Sequence, residues 1–409
     1  MVKSQKRFVR DGSESEPRLC PLVCVRQAVG GGFFKRSAEE VCVKKIGIVT
    51  YIKNYNYGSA LQAYALQEAI AGRGYDSRLI DYLDMGKPWN VRVQRRVVLN
   101  RLMGALHAPS AALKLERAKG GAVPSKEKRE RFDVFYGENI KYSVDDYTEK
   151  SAYDALVCGS DQVWSLAVPG LNWRFFLRFT SAGKRVAYAP SFGTSIVPRW
   201  NRRLLEKYLR EFAYVSVREL SGARIARDAA GLDVPVVLDP VLLVGKSFWE
   251  SVAPHQEGDY IACYFLSDEA GAIGRVKALS RALGLSVLWF GDRAPAGEVP
   301  QTVGPLDFVS ALSGASYVCT DSFHGAAFSL LFEKDFSVFD RNYEHNRGQS
   351  TRIDSLFELC GVKTEKVENR RDVVSWDRAA VEKRLGRLRD ESERFLFGSL
   401  KAVVDIVSE

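Results

Sequence analysis

The chain has 409 residues, of which 46% are apolar and 11% are aromatic. That composition excludes a disordered protein, and no run of about 18 apolar residues suggests a transmembrane helix. Lys and Arg number 59 against 50 Asp and Glu, and the net charge of +9 raises the question of a nucleic-acid or membrane-surface partner.

The first predicted elements form a strand–helix–strand unit. Residues 1–44 carry mixed charge without a hydrophobic period, so we expect a disordered extension or a start site placed too early. An apolar strand, KIGIVTY, begins at residue 45. A polar loop follows, then a helix with Ser59 as its expected N-cap, and then a strand over 77–81. This order is typical of a parallel α/β sheet.

The alternation continues after a basic stretch, 91–131, which is predicted to be a helical insertion. Further strands are expected at 154–160, 185–193 and 213–219, and helices at 199–211 and 219–230. The segment VPVVLDPVLL, 234–243, leads out of this first unit. We therefore assign 45–235 to an N-terminal α/β domain.

A second alternating unit begins with the apolar strand YIACYFL at 260–266. Its other strands are expected at 286–291, 316–325 and 336–340, and its helices near 269–283, 307–313, 325–331 and 352–360. We assign 236–375 to a C-terminal α/β domain and 376–409 to a long amphipathic helix. The predicted fold class is α/β, with two doubly wound Rossmann-like domains in series.

The positive charge is confined to two segments. Residues 1–45 hold 10 Lys and Arg against 5 Asp and Glu, and residues 91–131 hold 11 against 3. The other 323 residues therefore have a net charge of −4. Blocks of this kind are most often solvated surfaces or tails, and no nucleic-acid-binding signature accompanies them. We expect no nucleic-acid partner, whereas the second block could make peripheral contact with a membrane surface.

The seven cysteines are an odd number, which argues against a disulfide framework. Cys158, Cys263 and Cys319 lie in apolar runs and are expected to be buried thiols. No secretory signal is visible, so a cytoplasmic location is expected. No two histidines stand at a metal-ligand spacing, and we expect no metal site.

The candidate site follows from a rule on open α/β sheets, in which ligands bind beyond the carboxyl ends of the strands. Polar loops that directly follow the predicted strands supply Asn56, Gly58, Ser59, Ser160, Asp161, Ser191, Asp321, Ser322 and Gly325. Gly58 and Ser59 open a helix, where backbone N–H groups could hold a phosphate or carboxylate. An ordinary strand-to-helix turn explains these two residues equally well.

His324 is one of only four histidines, and it lies between a predicted strand and a predicted helix. A helix N-terminus disfavours the imidazolium, which the neighbouring Asp321 could restore. This position favours acid–base chemistry over a satisfied core histidine. Arg218 and Arg352 are suited to bind phosphate or carboxylate. The alternative for Arg218 is a surface ion pair, and for Arg352 it is a surface charge at a helix N-terminus.

Seven segments together resemble the polysaccharide pyruvyl transferase family. They are NYGSALQAYALQ (56–67), VCGSDQVWS (157–165), YAPSFG (188–193), VSVRE (215–219), LDPVLL (238–243), TDSFHGAAFSLLF (320–332) and STRIDSL (350–356). They occur in order over about residues 45–360. Each is unspecific alone, and the combination is specific.

The resemblance implies a GT-B-like fold, in which two domains face each other across a cleft. It also implies transfer of pyruvate from phosphoenolpyruvate to two hydroxyls of a sugar, as a ketal. The family's histidine corresponds to His324, its arginine after the central strand to Arg218, and its acidic residue to Asp161. The implied partners are phosphoenolpyruvate and a glycan or lipid-linked oligosaccharide of an exopolysaccharide or the cell surface, with no cofactor.

The chain departs from the family at one point. Where better-studied members carry an Arg-Leu-His element, this sequence has Ser322-Phe323-His324. One expected anion ligand is therefore missing, and Arg352 or Arg347 could replace it. Two alternatives stay open: a GT-B glycosyltransferase that uses a nucleotide sugar, and a non-enzymatic binder of glycan or nucleic acid that acts through the basic segments.

Overall fold

Two β-sheets organise the structure, which is a computed structural model. The first sheet has five parallel strands in the order β2-β1-β3-β4-β5. They are β1 Lys45–Val49, β2 Asp76–Leu79, β3 Ala155–Cys158, β4 Arg185–Ala187 and β5 Tyr214–Val215. β1 and β3 are almost wholly buried, as central strands covered by helices on both faces must be.

The second sheet has seven strands in the order β11-β12-β10-β9-β6-β7-β8. They are β6 Tyr260–Tyr264, β7 Ser286–Phe290, β8 Pro300–Gln301, β9 Tyr317–Thr320, β10 Asp335–Phe339, β11 Glu365–Val367 and β12 Arg370–Val373. Strands β6 to β10 are parallel in the Rossmann order, whereas β12 runs antiparallel to β10, and β11 antiparallel to β12. The sequence did not predict β11 and β12, whose charged residues mask their strand pattern.

Helices cover both sheets. They are α1 Tyr57–Ala71, α2 Lys126–Asn139, α3 Arg202–Leu209, α4 Leu220–Ala230, α5 Pro240–Leu243, α6 Gly245–Val252, α7 Ala270–Leu283, α8 Pro305–Gly314, α9 Phe323–Leu331, α10 Ser350–Cys360 and α11 Arg378–Ser408. The predicted fold class, α/β with two doubly wound sheets, is confirmed. No helix in the described part of the chain is both long and apolar enough to span a bilayer.

The structure describes residues 43–81, 124–143, 153–166, 171–254, 257–267, 270–292, 294–340, 350–367 and 370–408. They all belong to one compact unit, Val43–Glu409. Most of the expected extension 1–44 lies outside the described residues, as does Arg347. The predicted domain boundary near residue 235 stays a prediction.

Two predicted helix boundaries are wrong. Helix α1 begins at Tyr57 and not at Ser59, because the side chain of Asn56 accepts a hydrogen bond of 3.1 Å from the backbone N–H of Ser59 and caps the helix. The basic insertion was expected to end at residue 131, which lies inside α2. Residues 91–123 of the insertion lie outside the described residues.

The aromatic ring of Tyr57 joins the first sheet's helix layer to the second sheet. It stacks on Phe308 of α8 with ring centroids 4.3 Å apart, and it meets Tyr264 edge-on at 5.6 Å. Its hydroxyl donates a hydrogen bond of 2.9 Å to the carbonyl of Val303. A buried apolar cluster surrounds this contact and runs from α1 to helices of the second half. The two halves are therefore held by a continuous core.

Helix α11 returns from the second half to the first. Arg73, near the end of α1, forms an ion pair of 2.6 Å with Glu393. Ser392 accepts a hydrogen bond of 2.9 Å from the backbone N–H of Leu238, in the segment that connects the two sheets. Helix α11 thus holds in place the segment that connects the two sheets.

Replacing Tyr57 tests this junction. Tyr57→Ala removes the stacked ring, so we expect the free energy of unfolding to fall by about 3–5 kcal/mol. Tyr57→Phe, the matched control, keeps the ring and loses one hydrogen bond, for about 1 kcal/mol. Urea unfolding followed by circular dichroism measures both, and equal losses in the two variants would contradict the stacking argument.

Candidate active site

The carboxyl ends of the two sheets meet around His324. This residue lies in the first turn of α9, directly after β9. Ser322 caps the helix by accepting a hydrogen bond of 3.4 Å from the N–H of Gly325. Nε2 of His324 lies 3.5 Å from Oδ2 of Asp239, within ion-pair distance, but forms no hydrogen bond to any described residue. The predicted histidine is therefore buried beside a carboxylate from the first half's connecting segment.

Gly58 makes room for the imidazole. A Cβ atom built on Gly58 would lie 2.0 Å from Nδ1 of His324, which is far inside van der Waals contact. The start of α1 therefore packs directly against the histidine ring. Only glycine permits this approach, because any other residue would displace the ring or the helix. The expected contribution of Gly58 as an anion-binding N–H group stays a prediction.

Asp239 is the centre of the site's polar contacts. Its side chain is fully buried, and it caps α5 by accepting a hydrogen bond of 3.1 Å from the N–H of Val241 at Oδ1. Its other oxygen, Oδ2, accepts bonds of 2.8 Å from Ser160 Oγ and 2.6 Å from Arg218 Nη1. Oδ2 is also the atom that faces His324. One carboxylate oxygen thus links loops of the first sheet to the second.

Arg218 is buried, contrary to the alternative of a surface ion pair. Its guanidinium lies over the ring of Phe323 at 4.2 Å, in cation–π contact. Nη1 is bound to Asp239, whereas Nε and Nη2 donate to no atom that the structure describes. Buried N–H groups without a partner are rare, so these two call for an explanation.

Asp161 follows β3 in a strained backbone conformation, with φ of 74°. Its carboxylate accepts hydrogen bonds of 2.5 Å from Ser59 Oγ and 2.8 Å from the N–H of Gln162. Oδ1 lies 4.0 Å from Nη2 of Arg218. Asp161, Ser59 and Arg218, which the sequence singled out separately, therefore lie together.

Ser191 belongs to an adjoining group around Glu219. Its hydroxyl donates a hydrogen bond of 2.9 Å to Oε1 of Glu219, and the N–H of Phe192 donates another of 3.0 Å. Oε2 of Glu219 accepts no hydrogen bond from the described residues. Arg352, the other predicted arginine, is buried and close enough to act on the charge of Glu219. The surface alternative for Arg352 is therefore wrong as well.

The buried carboxylates respond differently to these surroundings. Burial alone would raise the pKa of Asp239, but His324 and Arg218 hold it well below its usual range. The pKa of Asp161 is also lowered, because Arg218, His324 and the bond from Ser59 outweigh burial. Burial raises the pKa of Glu219 above its usual value, against the attraction of Arg218 and Arg352. Two of the three acids are therefore held as anions.

Three predicted binding residues form the turn that leads into α9. The carboxylate of Asp321 accepts hydrogen bonds of 2.7 Å and 2.9 Å from the N–H groups of Leu266 and Ser267, so it fixes the loop after β6. A Cβ on Gly325 would lie 2.4 Å from Thr320 Oγ1, which makes this glycine a packing requirement. The sequence predicted Asp321 as the carboxylate beside His324. The structure places Asp239 there instead.

The sequence patterns missed Asp239, and they singled out Glu219 only as part of the pair Arg218-Glu219 after a predicted strand. Asp239 lies 85 positions before His324, so no local spacing connects them. A signal was present, because Asp followed by Pro after an apolar run marks a helix start, and Asp239 does cap α5. The signal for Glu219 in the sequence was its position next to Arg218.

Backbone strain collects at the same sheet edge. Lys53 and Tyr55 follow β1 with φ of 55° and 52°, and Ala189 follows β4 with φ of 55°. Non-glycine residues in this region cost about 1–3 kcal/mol each and tend to cluster at functional sites. Among the described residues, no group of three or more His, Cys, Asp or Glu is arranged to hold a metal ion.

Comparison with known families gives one match. The model of the family "Polysaccharide pyruvyl transferase" matches residues 56–343, well over half of the chain. The matched region contains all the residues described above around His324 except Arg352. No curated protein matches the chain.

Solved structures show a remote likeness. S. aureus MnaA in its UDP co-structure is 11% identical, with 86% of this chain and 91% of that chain covered and a TM-score of 0.43. The UDP-N-acetylglucosamine 2-epimerase of Rickettsia bellii is 9% identical, with 88% and 97% covered and a TM-score of 0.43. That of Neisseria meningitidis, bound to UDP-GlcNAc, is 11% identical, with 90% and 99% covered and a TM-score of 0.40. Similarity at this level says nothing about activity.

Gly58→Ala tests the contact with His324. The added methyl group would overlap the imidazole, so we expect the free energy of unfolding to fall by about 1–3 kcal/mol. Gly137→Ala is the matched control, because Gly137 is exposed in α2 with open space around its Cβ. It should raise stability by about 0.5–1 kcal/mol. Urea titration would refute the close packing if both variants gained stability.

The carboxylates predict opposite pH effects. Asp161 has a lowered folded pKa, so its stabilising contribution is complete above about pH 5 and is lost as the pH falls through the folded pKa. Glu219 has a raised folded pKa, so its contribution is complete below about pH 4 and is lost as the pH rises through the folded pKa.

The test compares each amide variant with the wild type in urea unfolding between pH 3 and pH 8. The stability difference between wild type and Asp161→Asn should shrink as the pH falls. The difference between wild type and Glu219→Gln should shrink as the pH rises. Differences that change in the same direction with pH would show that one of the two assignments is wrong.

Proposed function

This chain belongs to the polysaccharide pyruvyl transferase family, and from that premise we propose that it transfers the pyruvyl group of phosphoenolpyruvate to two hydroxyls of one sugar as a ketal. The acceptor is a glycan or lipid-linked oligosaccharide of an exopolysaccharide or of the cell surface. Donor and acceptor are both part of the proposal, which rests on the family and on the chemistry of the residues around His324.

The main support is a set of buried polar atoms that converge without partners. They are Nε and Nη2 of Arg218 and Oε2 of Glu219, none of which is hydrogen-bonded to a described residue. An unpartnered buried polar group costs about 1–3 kcal/mol, so several together destabilise the free protein. Binding an anionic, hydroxyl-bearing substrate would satisfy them.

The first chemical step needs an acid near the donor's methylene carbon. In the proposed mechanism His324 gives a proton to that carbon, which makes the adjacent C2 an oxocarbenium-like electrophile. A sugar hydroxyl adds to C2 and passes its proton to a base, for which Asp161 and the deprotonated His324 are the candidates. Asp161 is ionised and lies beside Arg218, whereas its lowered pKa makes it the weaker base of the two.

The second step closes the ketal. The other sugar hydroxyl attacks C2, the C2–O bond to phosphate breaks, and the hydroxyl's proton leaves with the phosphate as hydrogen phosphate. Each proton given up by the protein is returned, so no oxidant, reductant or further reactant is needed. N–H donors aimed at the departing phosphate would stabilise the charge that develops there.

Arg218 is the described residue best placed for that phosphate. Nη1 is engaged by Asp239, which fixes the guanidinium and leaves Nε and Nη2 available in one plane. Ser322, at the position where the family's better-studied members carry an arginine, is occupied as the cap of α9. Arg218 is therefore the proposed ligand of the phosphate, and Arg352 lies close enough to act on the charge of the neighbouring Glu219.

A donor screen with His324→Ala tests the proposal. Purified protein with phosphoenolpyruvate and a pool of bacterial glycans should release inorganic phosphate, and the variant should be slower by about 10²–10⁴-fold because it lacks the acid. Ser329→Ala, on the same helix, removes a hydroxyl that bonds only to the Gly325 carbonyl, and should keep the wild-type rate. Ser329→Ala should keep the wild-type melting temperature within a few degrees. His324→Ala, which removes a buried ring beside Asp239, should melt lower and still show the wild-type circular dichroism spectrum at the assay temperature.

Two results would contradict the proposal. Wild-type rate in His324→Ala would remove this residue from catalysis. Absence of phosphate release, combined with UDP or GDP binding in calorimetry, would favour a glycosyltransferase that uses a nucleotide sugar.

A further inference from the structure

The two nitrogens of His324 have different surroundings. Nε2 points into the protein, 3.5 Å from Oδ2 of the fully buried Asp239. Nδ1 lies on the side of the ring that packs against Gly58, a residue without a side chain. A histidine with two such different sides can use only one nitrogen for a substrate.

The Asp239 carboxylate decides which nitrogen carries hydrogen. A carboxylate can only accept, so the imidazole nitrogen that faces it must be the donor. Asp239 is held as an anion by Arg218, which donates a bond of 2.6 Å to the same Oδ2. The 3.5 Å gap to Nε2 is longer than a hydrogen bond, as is common in catalytic sites without substrate.

The carboxylate is fixed from several sides. The N–H of Val241 binds Oδ1, so the carboxyl group cannot rotate freely. The preceding residue, Leu238, is anchored at its N–H by Ser392 of α11 and at its carbonyl by the hydroxyl of Tyr188. Asp239 is therefore a rigid acceptor, as an orienting group must be.

We propose that Asp239 is the positioning residue of His324, that it holds the hydrogen on Nε2, and that Nδ1 is the nitrogen that exchanges protons with the substrate. Proton exchange between Nδ1 and a substrate rests on the proposed function. The position of the hydrogen on Nε2 does not depend on it.

The hydrogen can be located directly. The chain has only four histidines, so ¹⁵N-histidine labelling gives four imidazoles, and His324→Gln identifies the signal of interest. If this variant does not fold, the triple variant His107→Gln, His255→Gln and His345→Gln leaves His324 alone. In the neutral ring we expect the protonated-type ¹⁵N shift at Nε2 and the unprotonated type at Nδ1. The reverse assignment would overturn the proposal.

Kinetics of Asp239→Asn give the second measurement. An amide can turn its NH₂ group towards His324, so the variant should lose the Nε2–H preference in the NMR spectrum. We expect kcat to fall at least tenfold. KM for phosphoenolpyruvate should rise as well, because Arg218 loses its bond to the same Oδ2 atom, so the NMR spectrum is the measurement specific to His324. An unchanged ¹⁵N pattern or an unchanged kcat would overturn the assignment.

Glu211→Gln is the matched control. Glu211 is also a carboxylate paired with arginines, Arg178 and Arg185, so the substitution weakens a comparable ion pair elsewhere in the first half. It should leave the His324 spectrum and kcat unchanged, which separates positioning from general loss of stability. If the wild type transfers no pyruvyl group at all, the proposed function fails, and the spectrum still decides where the hydrogen lies.

Discussion

The structure depends on one buried oxygen atom, Oδ2 of Asp239. Ser160 and Arg218 donate to it from two loops of the first sheet, and His324 faces it from the second. Removing a partner of such a buried pair typically costs about 3–5 kcal/mol, because the remaining charge has no water to solvate it. The loops around this oxygen therefore cannot separate without loss of stability, and the catalytic candidates are held in one place.

The segment that carries Asp239 explains why the C-terminal helix runs back across the molecule. Leu238 is bonded on one side to Ser392 of α11 and on the other to Tyr188, which follows β4. The connection between the two sheets is thus embedded in packed structure, in contrast to an exposed linker. A rigid connection is useful where acid–base geometry must be kept to within a fraction of an ångström.

The sequence predicted the fold well where the pattern is local. Strands β1 and β6 lie where their short apolar runs predict them, and both are buried along almost their whole length. The rule on strand ends also located His324, Arg218 and Asp161, because carboxyl ends of parallel strands share an edge. It failed for Asp239, which follows no strand of either sheet. Its role arises from contacts between distant segments, and these are invisible to spacing.

The residues that open α9 determine how Arg218 is held. Ser322 caps the helix, and the guanidinium of Arg218 lies over the ring of Phe323 at 4.2 Å, so the start of α9 covers this arginine. Arg218 is already paired with Asp239, and Arg352 lies near Glu219. Arg218 and Arg352 therefore offer little uncompensated positive charge. Recognition of an anion here has to rely on the direction of the N–H groups at Nε and Nη2 of Arg218. An anionic substrate that lies in their plane accepts hydrogen bonds that solvent does not supply.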